Sequence, residues 1–174
     1  NAPRAWIGYD GQVFSFRRMT AQDQPEGNSP QRSIALVVPV FNDWESLEIL
    51  LKALNATLSG SVIGLSVLVV DDGSTERPRL SADLVGDGSA IRSLDVMHLP
   101  FNMGHQRAIA LGLAEIAAGV DCDAVLVMDA DGEDRPEDVP RLIAAHLSAP
   151  GSIIVAQRTK LAAPPLCPTI AEVR

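Results

Sequence analysis

Apolar runs rich in branched side chains recur along this sequence, and they constrain its fold more than any other feature. Residues 33–40 (SIALVVPV) are almost continuously apolar, and residues 65–70 (LSVLVV) and 123–128 (DAVLVM) repeat the pattern. A strand with one solvated face alternates apolar and polar residues, whereas a strand buried on both faces reads as a continuous apolar run. The three runs therefore predict strands of a parallel sheet that is covered by helices on both faces.

Helical segments separate these runs. The segment after the first run has an apolar stripe at helical spacing, formed by Trp44, Leu47, Leu51, Leu54 and Leu58. Residues 105–119 (HQRAIALGLAEIAAG) predict a second long helix, and residues 135–147 predict a third, in which Pro136 and Pro140 leave the first turn ambiguous. The later part of residues 91–99 (IRSLDVMHL) and residues 152–156 (SIIVA) predict two further strands in the alternating series.

The composition changes at both ends of this region. Residues 1–32 are rich in Pro, Gly, Gln and charged side chains and predict a flexible arm. Within it, a weak alternation at residues 12–16 (QVFSF) is typical of an edge strand. Residues 33–160 are predicted to form one ligand-binding domain. Residues 161–174 contain several prolines, match neither period and predict an irregular tail.

Charge and cysteine content argue against several classes of function. The 174 residues suffice for about one domain, and a formal net charge of −8 without a cluster of Lys or Arg argues against a nucleic-acid partner. Cys122 and Cys167 lie far apart and lack other ligands at zinc-site spacing, so they predict neither a zinc site nor a disulfide framework and favour a cytoplasmic protein. No apolar run approaches the ~20 residues that a membrane-spanning helix needs.

Acidic side chains follow the predicted strands, at the point where each strand ends. Four carboxylates stand within residues 129–134 (DADGED), and residues 71–75 (DDGST) follow another strand. Residues 39–43 (PVFND) and 101–107 (FNMGHQR) accompany the remaining two. In an open α/β sheet, ligands bind at the carboxyl ends of the strands. Carboxylates gathered there repel one another unless a cation compensates them, and Mg²⁺ or Mn²⁺ suits carboxylate oxygens. The pattern predicts a metal-bridged diphosphate ligand at this rim.

Each motif has a structural alternative when it is taken alone. Asp131 or Asp134 fits a cap for the following helix, and residues 73–75 fit an ordinary turn. Residues 102–104 fit a turn followed by a cap. The three histidines are predicted to be helix-surface or strand-end positions without chemistry: His98, His105 and His146.

In order along the chain, these pieces resemble the glycosyltransferase family 2 proteins with the GT-A nucleotide-sugar fold, especially the branch of polyprenyl-phosphate sugar synthases. VVPVFND is similar to the first-strand element of that family, VLVVDDGST to its second-strand acidic turn, FNMGHQRAIALGL to the start of its helix, and VMDADGEDRPED to its DxD motif. VAQR, at residues 155–158, resembles the strand that ends in an arginine near the donor phosphates. The resemblance covers residues 33–160 and implies a GT-A-type, Rossmann-like α/β fold in three layers (α/β/α), with a mostly parallel sheet flanked by helices.

The resemblance assigns the nucleotide side of a candidate site. Pro39 and Phe41 would line the nucleobase pocket, with Phe41 in place of the commoner Tyr. Asp72 would accept a hydrogen bond from the base, and Asp71 would support the turn. Asp43 stands where many relatives have Glu, and it would contact the base or the ribose.

The resemblance also assigns the phosphate side. Asp131 would ligate a divalent metal, Mg²⁺ or Mn²⁺, and act as the catalytic residue, while Asp129 would bind the ribose or lie in the outer shell of the metal. Arg158 would contact the diphosphate through a charge-assisted hydrogen bond. Asn102 and Arg107 would lie at the nucleotide rim.

The resemblance implies a function: transfer of a sugar, with inversion, from a nucleoside-diphosphate sugar to a lipid phosphate such as a polyprenyl phosphate, or to a saccharide, in cell-envelope polysaccharide synthesis. Such an enzyme is expected in the cytoplasm, at the inner face of the cell membrane, with membrane association through segments outside this chain. The residues after 160 do not resemble the continuation of the family. This chain is therefore expected to bind the donor better than it transfers sugar.

Three alternatives stay open at this point. One is a module of this fold that binds a sugar nucleotide without transferring it. Another is a nucleotidyltransferase, although residues 39–46 (PVFNDWES) lack the Gly-rich, basic phosphate loop that such enzymes place after the first strand. The third is a phospho-acceptor receiver domain, in which VLVVDDG would be the first-strand acidic pair, although a whole strand and helix precede it here.

Overall fold

A computed structural model describes residues 6–7, 13–14, 16–20, 32–149 and 151–156. Its strands are β1 (Trp6–Ile7), β2 (Val13–Phe14), β3 (Phe16–Thr20), β4 (Arg32–Val40), β5 (Ile63–Asp71), β6 (Ile91–His98) and β7 (Ala124–Val127). Its helices are α1 (Trp44–Leu58), α2 (His105–Gly119) and α3 (Val139–Ser148), with short 3-10 turns at Ala82–Leu84 and Pro136–Asp138. The chain divides into two compact units, Asn1–Glu137 and Asp138–Arg174.

The main sheet has five strands in the order β3-β6-β5-β4-β7. Strands β4 to β7 are parallel to one another, and β3 pairs antiparallel with β6 at one edge. From β4 the chain steps to β5 in one direction, whereas from β6 it returns past β5 and β4 to reach β7. Because such crossovers are right-handed, these two opposite steps place α1 and α2 on opposite faces of the sheet. The predicted three-layer α/β architecture with a mostly parallel sheet is confirmed.

Both faces of the central strands are buried. Ala35 and Val37 of β4 belong to a core cluster that includes Ala108 and Ile116 of α2. Leu36 points to the opposite face, because side chains alternate along a strand, and it is equally inaccessible. Helix α1 contributes buried side chains that include the whole predicted stripe: Trp44, Leu47, Leu50, Leu51, Leu54 and Leu58. Burial on both faces therefore explains why these strands read as continuous apolar runs.

Gly112 allows α2 to approach the sheet closely. A Cβ atom at this position would lie 2.6 Å from Cγ1 of Val37 and 2.8 Å from Cγ2 of Val70. Both valines are fully buried, so neither side chain can move into solvent. The missing side chain of Gly112 thus sets the separation between helix and sheet beneath the rim.

Gly112→Ala is expected to lower the free energy of unfolding by roughly 1–2 kcal/mol, because overpacking costs ~1–3 kcal/mol and the better helix propensity of Ala returns up to ~1. Urea denaturation of the variant and the wild type measures the difference. Ala117→Gly, at an exposed position of the same helix, calibrates the propensity term. Stabilisation by Gly112→Ala would show that the close approach is not tight.

One predicted strand is wrong. Residues 152–156 have no strand pairing, and Ile153 and Val155 are 91% and 79% exposed. Branched apolar side chains favour a strand only where a neighbouring strand supplies hydrogen bonds and a packing surface, so the preference is not enough by itself. In the same unit, the ambiguity at the third helix is settled: Pro140 lies in the first turn of α3, after the 3-10 turn at Pro136–Asp138.

Part of the predicted arm, residues 1–32, takes part in strands. β1 pairs antiparallel with β2, and β3 forms the edge of the main sheet beside β6. An edge strand was expected at residues 12–16, and the described edge strand begins at Phe16. Over the described ranges, no helix is both long enough and apolar enough to cross a membrane.

Candidate functional site

Four loops leave the carboxyl ends of β4, β5, β6 and β7 at one edge of the sheet. Val40 at the end of β4 is level with Asp71 at the end of β5, and Asp71 is level with His98 at the end of β6. Strand β7 runs parallel beside β4 and ends at Val127, so residues 128–134 emerge at the same edge. The tertiary structure therefore brings together the four motifs that the sequence placed at strand ends.

Asn42 joins the first two of these loops. Its φ of 60° lies in the left-handed region, which Asn tolerates better than most residues. Its side-chain oxygen accepts hydrogen bonds from the backbone N–H groups of Thr75 at 2.8 Å and Glu76 at 3.3 Å, and its own N–H donates to Ser74 Oγ at 2.8 Å. Trp44 adds a bond from its indole N–H to the Glu76 carbonyl at 3.2 Å. Sequence reasoning missed this role, although an Asn just after a strand end is typical of a left-handed position.

Asp71 is buried at the end of β5. Its Oδ2 lies 2.7 Å from Nδ1 of His98, and its Oδ1 accepts a hydrogen bond from the N–H of Ser74 at 2.9 Å. Burial by itself would raise the pKa of Asp71, but the hydrogen bonds from His98 and Ser74 outweigh it and hold the pKa below its usual 3.8. Asp71 thus bonds to the turn through Ser74, its part in a nucleotide site stays a prediction, and His98 is a partner that the sequence did not indicate.

The lowered pKa of Asp71 predicts a loss of stability in acid. A carboxyl group with a lower pKa in the folded state stabilises the fold above its unfolded pKa, and this contribution disappears as the pH falls through the folded pKa. The gap in unfolding free energy between wild type and Asp71→Asn is therefore expected to be constant at neutral pH and to shrink below about pH 4. Urea denaturation of both proteins from pH 7 to pH 3 tests this. A gap that stays constant at pH 3 would contradict the assignment.

Asp72 is also buried, and both of its carboxylate oxygens are occupied by backbone donors. Oδ1 accepts from the N–H of Met103 at 2.7 Å, and Oδ2 accepts from the N–H of Gly104 at 3.0 Å. These amides directly precede α2, so Asp72 fixes where this helix begins. Arg107, in the first turn of α2, is exposed and donates from Nη1 to the Met103 carbonyl at 3.4 Å. The contact of Asp72 with a base stays a prediction beside this anchoring role.

Gly73 permits the second and third loops to touch. A Cβ atom here would lie 2.5 Å from the carbonyl carbon of Phe101 and 2.6 Å from the backbone nitrogen of Asn102. Its φ of 75° is also a conformation that favours glycine. The turn at residues 73–75 is thus both ordinary turn chemistry and the point where two rim loops make backbone contact.

The acidic loop after β7 is ordered by its own side chains. Asp134 Oδ2 accepts from the N–H of Asp129 at 2.9 Å, and Asp131 Oδ1 accepts from the N–H of Glu133 at 2.9 Å. The Asp131 side chain is exposed, and Asp129 is partly exposed with Oδ1 at 3.5 Å from Nε2 of His105. Sequence reasoning assigned His105 no chemistry, and only the tertiary structure places it here.

The remaining predicted residues fall into different environments. Phe41 is 47% exposed at the rim, whereas Pro39 is buried within β4. Asp43 caps α1 by accepting from the N–H of Ser46 at 3.3 Å. Asn102 is exposed beside Gly73. The predicted diphosphate contact, Arg158, lies outside the described residues.

Asp129 and Asp131 offer the oxygen ligands that Mg²⁺ or Mn²⁺ takes. No group of three His, Cys, Asp or Glu side chains arranged to hold a metal is found in the part of the chain that the structure describes. Mg²⁺ commonly binds one or two carboxylates, with phosphate oxygens and water completing its shell. One oxygen of Asp131 accepts the Glu133 N–H, and the residue is exposed. The carboxylates therefore fit a metal that arrives together with a diphosphate.

A pocket of about 740 Å³ is lined by residues from the start of α1 and the loop after β5. Its lining includes acidic side chains from the first turns of α1 and the basic side chains of Arg77 and Arg79. Its size is in the range of small-molecule sites. Asn42 and Asp43 belong both to its lining and to the first rim loop, so the pocket adjoins the candidate site.

Sequence comparison places these features in a known family. The sequence model described as "Glycosyl transferase family 2" matches residues 35–162, which is most of the chain and contains all four rim loops. The chain belongs to glycosyl transferase family 2. This membership excludes the receiver domain and the nucleotidyltransferase as alternatives, and it agrees with the resemblance that the motifs indicated.

Curated relatives in this family carry a more specific name. The chain is 33% identical over 116 residues to the undecaprenyl-phosphate 4-deoxy-4-formamido-L-arabinose transferase of Pseudomonas fluorescens, a match that covers 66% of this chain and 32% of that protein. Proteins of the same name from Salmonella enteritidis PT4 and Salmonella paratyphi A are 29% identical over 118 residues, covering 67% of this chain and 34% of theirs. The chain therefore spans about a third of the length of the curated relatives it matches.

Proposed function

We propose that this glycosyl transferase family 2 chain binds a nucleoside-diphosphate sugar at the rim and serves the transfer of that sugar, with inversion, to a polyprenyl phosphate. One observation carries the proposal. Loops with the family's four motifs meet at the carboxyl edge of a parallel sheet, where α/β proteins bind nucleotides. The relatives whose names specify undecaprenyl phosphate support the acceptor class.

Several residues of this chain have separate proposed roles in donor binding. Phe41 offers an exposed aromatic face for stacking a base, and Asn42 and Asp71 hold the loops on either side in place. Asp131 and Asp129 would hold Mg²⁺ or Mn²⁺ against the diphosphate. The metal, when bound, supplies Lewis-acid stabilisation of the negative charge that develops on the leaving diphosphate. Arg158 is the proposed second cation for that charge.

The proposed acceptor needs little activation by the protein. A lipid phosphate is already anionic at neutral pH, so it can attack the anomeric carbon without a strong general base. The bond from that carbon to the donor diphosphate breaks as the new bond to the acceptor phosphate forms, and inversion follows from attack on the opposite side. We place this reaction in the cytoplasm, at the inner face of the membrane where a lipid acceptor is reached.

Calorimetric titration tests the donor half of the proposal. Uridine, guanosine and cytidine diphosphates are titrated into the protein with and without Mn²⁺. Binding of one of them that requires Mn²⁺ is the expected result, because the two carboxylates need the diphosphate to complete the metal shell. Absence of binding to all three with Mn²⁺ present would overturn the proposal.

The acceptor half needs a separate measurement. Transfer of radiolabelled sugar from the matching donor to undecaprenyl phosphate in detergent is compared with transfer to a soluble saccharide. Product only with the lipid phosphate supports the proposed acceptor class, and product only with the saccharide refutes it. Since the chain spans about a third of its relatives, the comparison includes a protein extended to the relatives' length.

A further inference from the structure

The acidic turn after β5 and the acidic loop after β7 are separated by β4 in the sheet, yet the start of α2 reaches both. Asp72 holds the two amides of Met103 and Gly104 that directly precede this helix. The first helical residue, His105, places its Nε2 3.5 Å from Oδ1 of Asp129. A continuous path therefore runs from one carboxylate motif to the other through the helix start.

We propose that His105 is a positioning residue for the Asp129–Asp131 loop, held in place by Asp72 through the amides of Met103 and Gly104. This inference rests on the proposed function, because the loop matters only if it holds a metal and a diphosphate. At 3.5 Å, an N–H on Nε2 attracts the Asp129 carboxylate electrostatically in either the neutral or the protonated ring. The contact restrains the Asp129 side chain from outside the loop.

The geometry favours positioning over folding stability. His105 and Asp129 are 48% and 37% exposed, and exposed pairs of this kind contribute little to global stability. Asp72 is buried and its two acceptor contacts are short, so the helix start is the fixed end of the path. The exposed loop is the other end, and His105 is a contact from outside the loop that restrains it.

Hydrogen–deuterium exchange of the ligand-free protein tests the restraint directly. The reporters are the amides of Asp129 and Glu133, which are bonded to Asp134 and Asp131 within the loop. His105→Ala is expected to speed their exchange about two- to fivefold, in line with the loss of a weak exposed contact. Gln106→Ala, at the next exposed position of the same turn, is the matched control and should leave both amides unchanged. Equal exchange in His105→Ala and wild type would overturn the proposal.

Nucleotide affinity is the second measurement, because a role of His105 in loop packing alone would not change it. With Mn²⁺ present, His105→Ala should weaken binding of the preferred nucleoside diphosphate about two- to fivefold. His105→Gln keeps a side-chain N–H donor and should restore most of the affinity. The Asp129→Ala background is compared by exchange of the Glu133 amide, because loss of a proposed metal ligand also lowers nucleotide binding; there, His105→Ala should have no further effect, since the partner is gone. An equal acceleration of exchange in both backgrounds would refute the positioning role.

The experiments distinguish failure of the proposed function from failure of the positioning role of His105. If wild type binds none of the three nucleoside diphosphates with Mn²⁺, the proposed function fails, and the exchange experiment still decides whether His105 restrains the loop. If wild type binds and the His105 variants behave like Gln106→Ala, the proposed function stands and the positioning role is wrong.

Discussion

Asp131→Ala is expected to abolish the Mn²⁺-dependent part of nucleoside diphosphate binding while the protein stays folded. Asp131 is exposed and only one of its carboxylate oxygens accepts a hydrogen bond from the described residues, that of the Glu133 N–H, so it is the ligand best placed to meet a metal that arrives with a diphosphate. Titration of the preferred nucleotide with and without Mn²⁺ measures the effect. In the variant, the two titrations should coincide.

Asp131→Ala is expected to change the free energy of unfolding very little. Exposed substitutions usually alter stability by no more than about 0.5 kcal/mol, and this one also relieves repulsion among neighbouring carboxylates. Asp121→Ala removes one negative charge at an exposed position before β7, at the opposite end of the strand, and serves as the charge-matched control. Equal Mn²⁺-dependent affinity in wild type and Asp131→Ala would show that the metal, if any, is held elsewhere.

Asp72→Ala is expected to cost about 2–4 kcal/mol of unfolding free energy, because it leaves two backbone N–H groups without their carboxylate partner. Asp72 is only 4% exposed, so water does not readily replace both bonds. Asp72→Asn keeps one acceptor oxygen of similar shape and should cost less. Urea denaturation of the three proteins measures the order, and equal stability of wild type and Asp72→Ala would contradict the anchoring role.

Nucleotide ranking separates anchoring from base recognition. If Asp72 acts by fixing the start of α2, Asp72→Asn should weaken uridine, guanosine and cytidine diphosphates by similar factors in the presence of Mn²⁺. If it contacts the base, the preferred nucleotide should lose the most and the ranking should blur. Both oxygens already hold backbone amides, so we expect the first result, and a changed ranking would instead support the contact that the family resemblance implies.

The order of strands and helices could be predicted because the apolar pattern within each element indicates which of its faces are buried. The continuous apolar runs of β4 and β5 indicate burial on two faces, and the stripe of α1 indicates burial on one. The prediction failed at residues 152–156, where an apolar run has no strand neighbour in the described structure. A strand forms only where a partner strand and a packing surface are available, and a short stretch of sequence does not reveal whether they are.

The motifs of the rim were also readable, because strand ends in a parallel sheet share one edge. The contacts that hold the rim together could not be predicted from the sequence. The Asn42 bonds to Thr75 and Glu76, the Asp71 contact with His98, and the approach of His105 to Asp129 join residues that are distant in sequence. Sequence determined which side chains stand at strand ends, since periodicity and turn chemistry are local. Only the tertiary structure decided which of them touch, because the side-by-side order β6-β5-β4-β7 brings separate loops within hydrogen-bonding distance.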